Sequence, residues 1–141
     1  MGSVPVTGVP LQRPGRRLGL LQGTRVIDVT TSLAGPYASL LLADFGAEVI
    51  KIERPGMGDD SRQWQPPSYD GQALWYLSVN RNKRSVTLDF SKPEGLALLH
   101  RMLKQADVLI TNQLPKVLSK LRIDPDSVKS IRPDIVYVSL T

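Results

Sequence analysis

Between Arg25 and Glu53 the chain reads strand, tight turn, helix, strand, and no other stretch restricts the possible folds so strongly. Val26 to Thr30 is a largely β-branched run, Ser32-Leu33-Ala34-Gly35-Pro36 a turn of small residues, and Tyr37 to Phe45 a helical segment closed by Gly46. Glu48 to Glu53 is the second strand, followed directly by Arg54. Strands joined through a helix lie parallel, with the helix crossing one face of the sheet. Such a βαβ unit gathers strand carboxyl ends and a helix N-terminus on one edge, where anionic or strongly polar ligands bind.

The alternation continues along the chain. Ser85–Asp89 reads as a strand, Pro93–Gln105 as a helix, Val108–Thr111 as a strand, Pro115–Leu121 as a turn or short helix, Asp126–Ile131 as a helix and Ile135–Ser139 as a strand. The fold class is therefore α/β, a Rossmann-like parallel sheet with helical crossovers. A long connection, Arg54 to Asn82, separates the second and third strands. Ser91-Lys92-Pro93-Glu94 predicts a capped helix start, with the serine hydroxyl as cap and Pro93 in the first turn. Leu96, Leu99, His100 and Leu103 then recur at helical spacing as a buried stripe, which makes His100 a packed or edge residue.

Composition narrows the function classes. With 41% hydrophobic residues among 141, the chain is long enough to bury one core, and it has no apolar run of the roughly 18 residues that a membrane span needs. It contains no cysteine and a single histidine, so neither a thiolate site nor a metal site is expected. The net charge of +5 is concentrated at the start, because Arg13, Arg16, Arg17 and Arg25 all precede the first acid, Asp28. The remainder is close to neutral, which argues against nucleic acid as a partner. Residues 1–20 read as a flexible basic leader without helical or strand periodicity. Arginines without acids also suit an organelle-targeting segment, but prolines interrupt the helix such signals need. The expected location is thus the cytoplasm, with the mitochondrial matrix as the alternative.

Several residues are candidates for chemistry. Gly35 and Pro36 stand where the first strand hands over to the helix, but the next glycine is Gly46, so the G-x-G-x-x-G fingerprint of dinucleotide sites is absent. Glu53 lies about 20 residues on, where a dehydrogenase holds the ribose hydroxyls, which keeps a nicotinamide reading open. Arg54 at the strand end is suited to a bidentate phosphate contact. Asp59 and Asp60 read as loop caps rather than a metal pair. Trp64, Tyr69, Trp75 and Tyr76 crowd the long connection, either to stack on a base or to anchor the loop on its own domain. Asn80-Arg81-Asn82-Lys83-Arg84 is a basic turn, either solvated or facing acidic groups of a ligand or second subunit.

Leu33–Pro36, Asp44–Asp59, Asn80–Ser85, Pro93–Gly95 and Ala106–Val108 together resemble, in order and spacing, the N-terminal part of the family III (CaiB/BaiF-type) coenzyme A transferases. The resemblance runs from about Leu21 to Thr141 and implies that residues 21–141 are an incomplete, CoA-binding part of the large domain. It implies coenzyme A or acyl-CoA as substrate, held over Leu33 and Ala34 with Arg54 near its phosphates or adenosine. Leu88, Asp89, Phe90, Ser91, Asn112, Gln113, Leu114 and Lys120 would line the same groove. Some family members carry Gln at Leu33 and Arg at Lys120. The implied reaction moves CoA between an acyl-CoA and a carboxylic acid through an aspartyl anhydride and thioester. The aspartate would lie beyond Thr141, so no catalytic residue is assigned here and the 141 residues alone should not turn over. The resemblance also implies an interlocked homodimer for the full-length form. Related 2-methylacyl-CoA racemases share the early motifs but tend to lack the loop equivalent to Gly56–Asn80, so its presence favours a transferase. A non-catalytic fragment that binds CoA or interferes with a dimer is the other alternative.

Overall fold

A computed structural model describes residues 19–140, so the leader expectation falls almost entirely outside the described residues. After a 3-10 turn at Gly19–Leu21 come β1 (Arg25–Asp28), α1 (Ala34–Asp44) and β2 (Glu48–Glu53). A 3-10 turn at Asp60–Gln63 leads to β3 (Ser68–Tyr69), β4 (Gln72–Ala73) and α2 (Leu74–Asn80). The remainder is β5 (Arg84–Thr87), α3 (Pro93–Leu103), β6 (Val108–Thr111), α4 (Pro115–Lys120), α5 (Pro125–Ile131) and β7 (Val136–Ser139).

β5, β2, β1, β6 and β7 form, in that order, one parallel sheet, as the strand and helix alternation predicts. The chain leaves β1 toward β2 on one side and returns to β6 on the other. That reversal opens a crevice at the carboxyl ends of β1 and β6, the place where open α/β sheets bind ligands.

Successive strand residues point to opposite faces. Val26, Val49 and Ile110 face α1 and pack with its Ala43. Ile27, Ile52 and Leu109 meet a larger core with Leu99 and Leu103 of α3 and Val128 of α5. Leu99 and Leu103 are fully buried, each contributing about 1.5–3 kcal/mol of transfer free energy, and they are the inner stripe the spacing implies. His100, half-buried beside them, lies 3.2 Å from the Arg122 carbonyl through Nε2.

β1 stops at Asp28 rather than Thr30 and β5 at Thr87 rather than Asp89, and the structure departs further from the sequence reading in three places. α1 begins at Ala34 rather than Tyr37, taking Gly35 and Pro36 into its first turn, where proline is tolerated. A Cβ on Gly35 would stand 2.4 Å from Thr30 Cβ, so glycine is what allows the helix to start so close to β1. Second, Lys92 and not Ser91 is the N-cap of α3 and offers no side-chain cap. The Ser91 hydroxyl instead donates to Asp89 Oδ1 at 2.5 Å.

Third, the long connection, read as a single segment, contains β3, β4 and α2. Asp70 and Gly71, both at positive φ, turn a short hairpin between β3 and β4, which leads straight into α2. Asp-Gly is a strong hairpin signal that would have located it. Leu74-Trp75-Tyr76-Leu77 has no side-chain cap, so nothing local marks α2 as a helix.

Candidate functional site

At the carboxyl edge of the sheet a cleft of about 290 Å³ is lined by Val29, Thr30 and Thr31 after β1, by Ile52, Glu53 and Arg54 at the end of β2, and by Leu88 to Ser91 after β5. Gly58, Asp59 and Asp60 close it from the loop that follows β2, and Gln113 and Leu121 from the far side. It spans the switch point between β1 and β6. There Asn112 Nδ2 donates to the Thr31 carbonyl at 2.9 Å while its Oδ1 accepts from the Thr31 amide at 3.0 Å. That pair of bonds holds the crevice at fixed width, as a strand pair would.

Glu53 is 4% exposed and saturated with donors. Arg62 grips it through Nε at 2.6 Å and Nη2 at 2.8 Å, Ser85 Oγ donates at 2.6 Å, the Asp59 amide at 2.9 Å and Tyr76 OH at 2.9 Å. Burial alone would raise its pKa, but Arg62, Ser85, the Asp59 amide and Tyr76 outweigh it and hold the carboxyl at about 2. Burial and the neighbouring carboxylate push the Tyr76 phenol upward. With its oxygens so engaged, Glu53 does not serve a ribose, which removes the basis of the nicotinamide reading. Gly58, at φ 67°, makes this packing possible, since a Cβ there would lie 2.6 Å from Glu53 Oε2.

Deeper under the cleft lies a chain of alternating buried charges. Lys51 Nζ sits 2.7 Å from Asp59 Oδ2 and donates to the Thr30 carbonyl at 2.9 Å. Lys83 Nζ reaches Asp28 Oδ2 at 3.1 Å, the Pro36 carbonyl at 2.8 Å and Asn80 Oδ1 at 2.8 Å. Asp28 also accepts from the Thr30 amide and from Ser39 Oγ, the latter at 2.5 Å. Burial lowers the Lys83 ammonium to about 8 against the pull of Asp28, with Lys51 adding to the depression. For Asp59, burial acts upward and Lys51 and Ser61 more than offset it, so its pKa is lowered.

The sequence reading of Asp59 as a loop cap holds, because its Oδ1 accepts from the Ser61 amide at 2.8 Å. Its burial against Lys51 has no signature in the sequence, since the periodicity that marks β2 says nothing of a partner for a mid-strand lysine. Neither does the fate of the basic turn. Lys83 is buried, Arg81 and Asn82 bind Asp44, and Arg84 binds Glu48, so the run serves this chain's own acids.

Of the residues singled out for coenzyme A, Arg54, Leu88, Asp89, Phe90, Ser91 and Gln113 come together on the cleft wall. Leu33, Ala34, Asn112, Leu114 and Lys120 are not among its lining. Leu33 and exposed Ala34 stand at the start of α1, the Asn112 amide is bound to Thr31, Leu114 is 70% exposed and Lys120 ends α4 on the surface. Arg54 is held by Asp60 of its own loop. Trp64, Trp75 and Tyr76 serve the domain itself, while Tyr69 is 72% exposed. The Arg62 guanidinium lies 3.6 Å from the Tyr76 ring centre, and Trp64 meets Trp75 edge-on at 6.5 Å. Among the described residues, no group of acids and histidine is arranged to hold a metal, and no helix is long and apolar enough to cross a membrane.

The family model for CoA-transferase family III matches residues 21–141. The chain belongs to this family. Human succinyl-CoA:glutarate CoA-transferase is 42% identical over 121 residues, covering 86% of this chain and 28% of the relative. The succinate–glutarate CoA-transferase of Agrobacterium fabrum is 42% identical over 142 residues, covering 96% of this chain and 34% of the relative. A solved CaiB/BaiF family protein from Brucella suis superposes with a TM-score of 0.81 at 42% identity, covering 86% of this chain and 33% of that one. The chain thus spans about a third of the length of these family members. The parallel sheet and its crossovers are the part of the family fold that the 141 residues contain.

Proposed function

We propose that residues 21–141 form the coenzyme A-binding part of a family III CoA transferase that moves CoA between an acyl-CoA and a carboxylic acid. The observation that carries this reading is the cleft at the switch point, where Arg54, Leu88 to Ser91 and Gln113, distant in sequence, share one wall in a chain of this family. A cleft of about 290 Å³ lies at the lower end of the roughly 300–1,000 Å³ that encloses a small-molecule ligand. A molecule as long as CoA would therefore extend beyond the cleft, and in this reading Leu33, Ala34, Asn112, Leu114 and Lys120, which do not line it, would meet the part that lies outside.

The chemistry would proceed through a carboxylate nucleophile outside these residues. The carboxylates here support that division of labour. Asp28, Glu53 and Asp59 are buried and bound to cations, and Asp60 and Asp89 are paired with Arg54 and Lys92. None of these five is left free to attack a thioester. The acyl donor and acceptor would be carboxylic acids of the kind named for the relatives, succinate and glutarate, and the full-length form a homodimer.

Titration calorimetry with CoA tests the reading. Binding is expected, and Arg54→Ala should weaken it about tenfold, the worth of one charge-assisted hydrogen bond to phosphate. An unchanged dissociation constant would make Arg54 a surface charge satisfied by Asp60. A thermal shift with CoA and none with NAD(H) would separate this reading from a nicotinamide site.

A further inference from the structure

The loop that closes the cleft, residues 54–63, buries no apolar side chain. Its two buried residues, Asp59 and Ser61, are polar, and Met57 is 57% exposed. Hydrophobic packing, which holds the sheet together, therefore cannot fix where this loop lies. Asp59 does so instead. Its Oδ2 meets Lys51 at 2.7 Å, its Oδ1 accepts from Ser61 Oγ at 2.7 Å and from the Ser32 amide at 3.1 Å, and its own amide donates to Glu53 at 2.9 Å. Lys51 in turn holds the Thr30 carbonyl. One carboxylate thus joins the turn between β1 and α1, the end of β2 and the loop, and residues of all three line the cleft.

Burying an ion pair this completely, with side-chain exposures of 1% and 0%, is a costly way to gain stability. Apolar residues of similar volume commonly do as well or better. What apolar residues cannot supply is direction. We infer that Lys51 and Asp59 are a positioning pair, holding the 54–63 loop against the β1–α1 turn so that Arg54 and Gly58 stand at the cleft before ligand arrives. The effect on affinity rests on the coenzyme A reading, whereas the effect on the loop does not.

The decisive variant is Lys51→Met with Asp59→Leu, which removes both charges together and keeps the space filled. Its melting temperature should fall less than that of Lys51→Met alone, because no charge is stranded, although the Ser32 and Ser61 amides lose their acceptor. Its loop amides, Ser61 and Arg62 above all, should exchange hydrogen at least about tenfold faster while those of β1 and β2 keep their protection. Its affinity for CoA should fall about tenfold. Should the double variant fail to fold, Ser61→Ala removes one donor to Asp59 without stranding a charge, and loop exchange should rise roughly threefold to tenfold. Loop protection equal to that of the parent overturns the inference, as does a loosened loop with CoA affinity unchanged. If the parent binds no CoA, the functional reading falls, and loop exchange still decides whether the pair positions the loop.

Discussion

The two faces of the sheet are built on different principles. The face under α3 and α5 is apolar along the whole strand length, from Ile27 and Leu109 to Val29 and Ile52. The face under α1 is apolar at Val26, Val49 and Ile110, but along β1 and β2 it becomes charged toward the carboxyl ends, with Asp28, Lys51 and Glu53. All of these side chains are buried, so exposure does not explain the contrast. Apolar packing fixes that two layers adhere and is tolerant of small shifts. Charged groups in fixed hydrogen-bond geometry specify which backbone atom lies where, and among the described residues the buried ones, Asp28, Lys51, Glu53 and Asp59, gather at the end of the sheet where the cleft is. One face holds the fold together while the other aims the binding edge.

If this contrast is real, changes on the charged face should cost as much as core truncations, and their cost should depend on charge rather than volume. Lys51→Met alone preserves volume but strands Asp59, and should destabilise by about 3–5 kcal/mol in denaturant unfolding. A cost near zero would mean that the charged face merely fills space. Glu53 offers the next largest effect. Its carboxyl is held at about 2 when folded against 4.5 in the free state, so its contribution is complete above pH 4.5 and is lost as the pH falls toward 2. That contribution is roughly 3 kcal/mol. Stability curves of the parent should therefore drop steeply across this window, and Glu53→Gln should flatten the drop.

Two smaller changes sharpen the comparison at the other rim of the cleft. Asn112→Ala removes both bonds to the Thr31 backbone and should cost about 1–2 kcal/mol, read as a lowered melting temperature. Lys120→Ala, on an exposed side chain outside the cleft lining, should change stability by less than about 0.5 kcal/mol while revealing any part it has in binding. A large loss of stability there would show that the far rim, too, is held by charge.

Much of this molecule was legible in its residues. β2 and β6 have the bounds that their apolar runs imply, and α3, α4, α5 and β7 fall within a residue or two of theirs. Strands and helices announce themselves by side-chain period, a property of neighbouring residues, and the order of those elements implies a parallel sheet with a ligand edge. Of the eleven residues that the family resemblance implied for coenzyme A, Arg54, Leu88 to Ser91 and Gln113 line the cleft, and Leu33, Ala34, Asn112, Leu114 and Lys120 do not. α2 has no helical signature of its own, because its seven residues are too few to show a period and carry no cap, and it is held as a helix by packing on α1.

What only the tertiary structure decided is the pairing of charge. Asp28 and Lys83 are 55 residues apart, and Lys51 meets an aspartate from a loop that turns back over its own strand. Glu53, which its place at a strand end suggested as a ligand group, is consumed by Arg62, Tyr76 and Ser85 from three later segments. Periodicity records which face a side chain takes, because that depends only on its neighbours along the chain. Which partner waits on that face depends on where distant segments are brought by the fold, and at the charged end of this sheet the partner determines whether a residue binds ligand or holds the site in place.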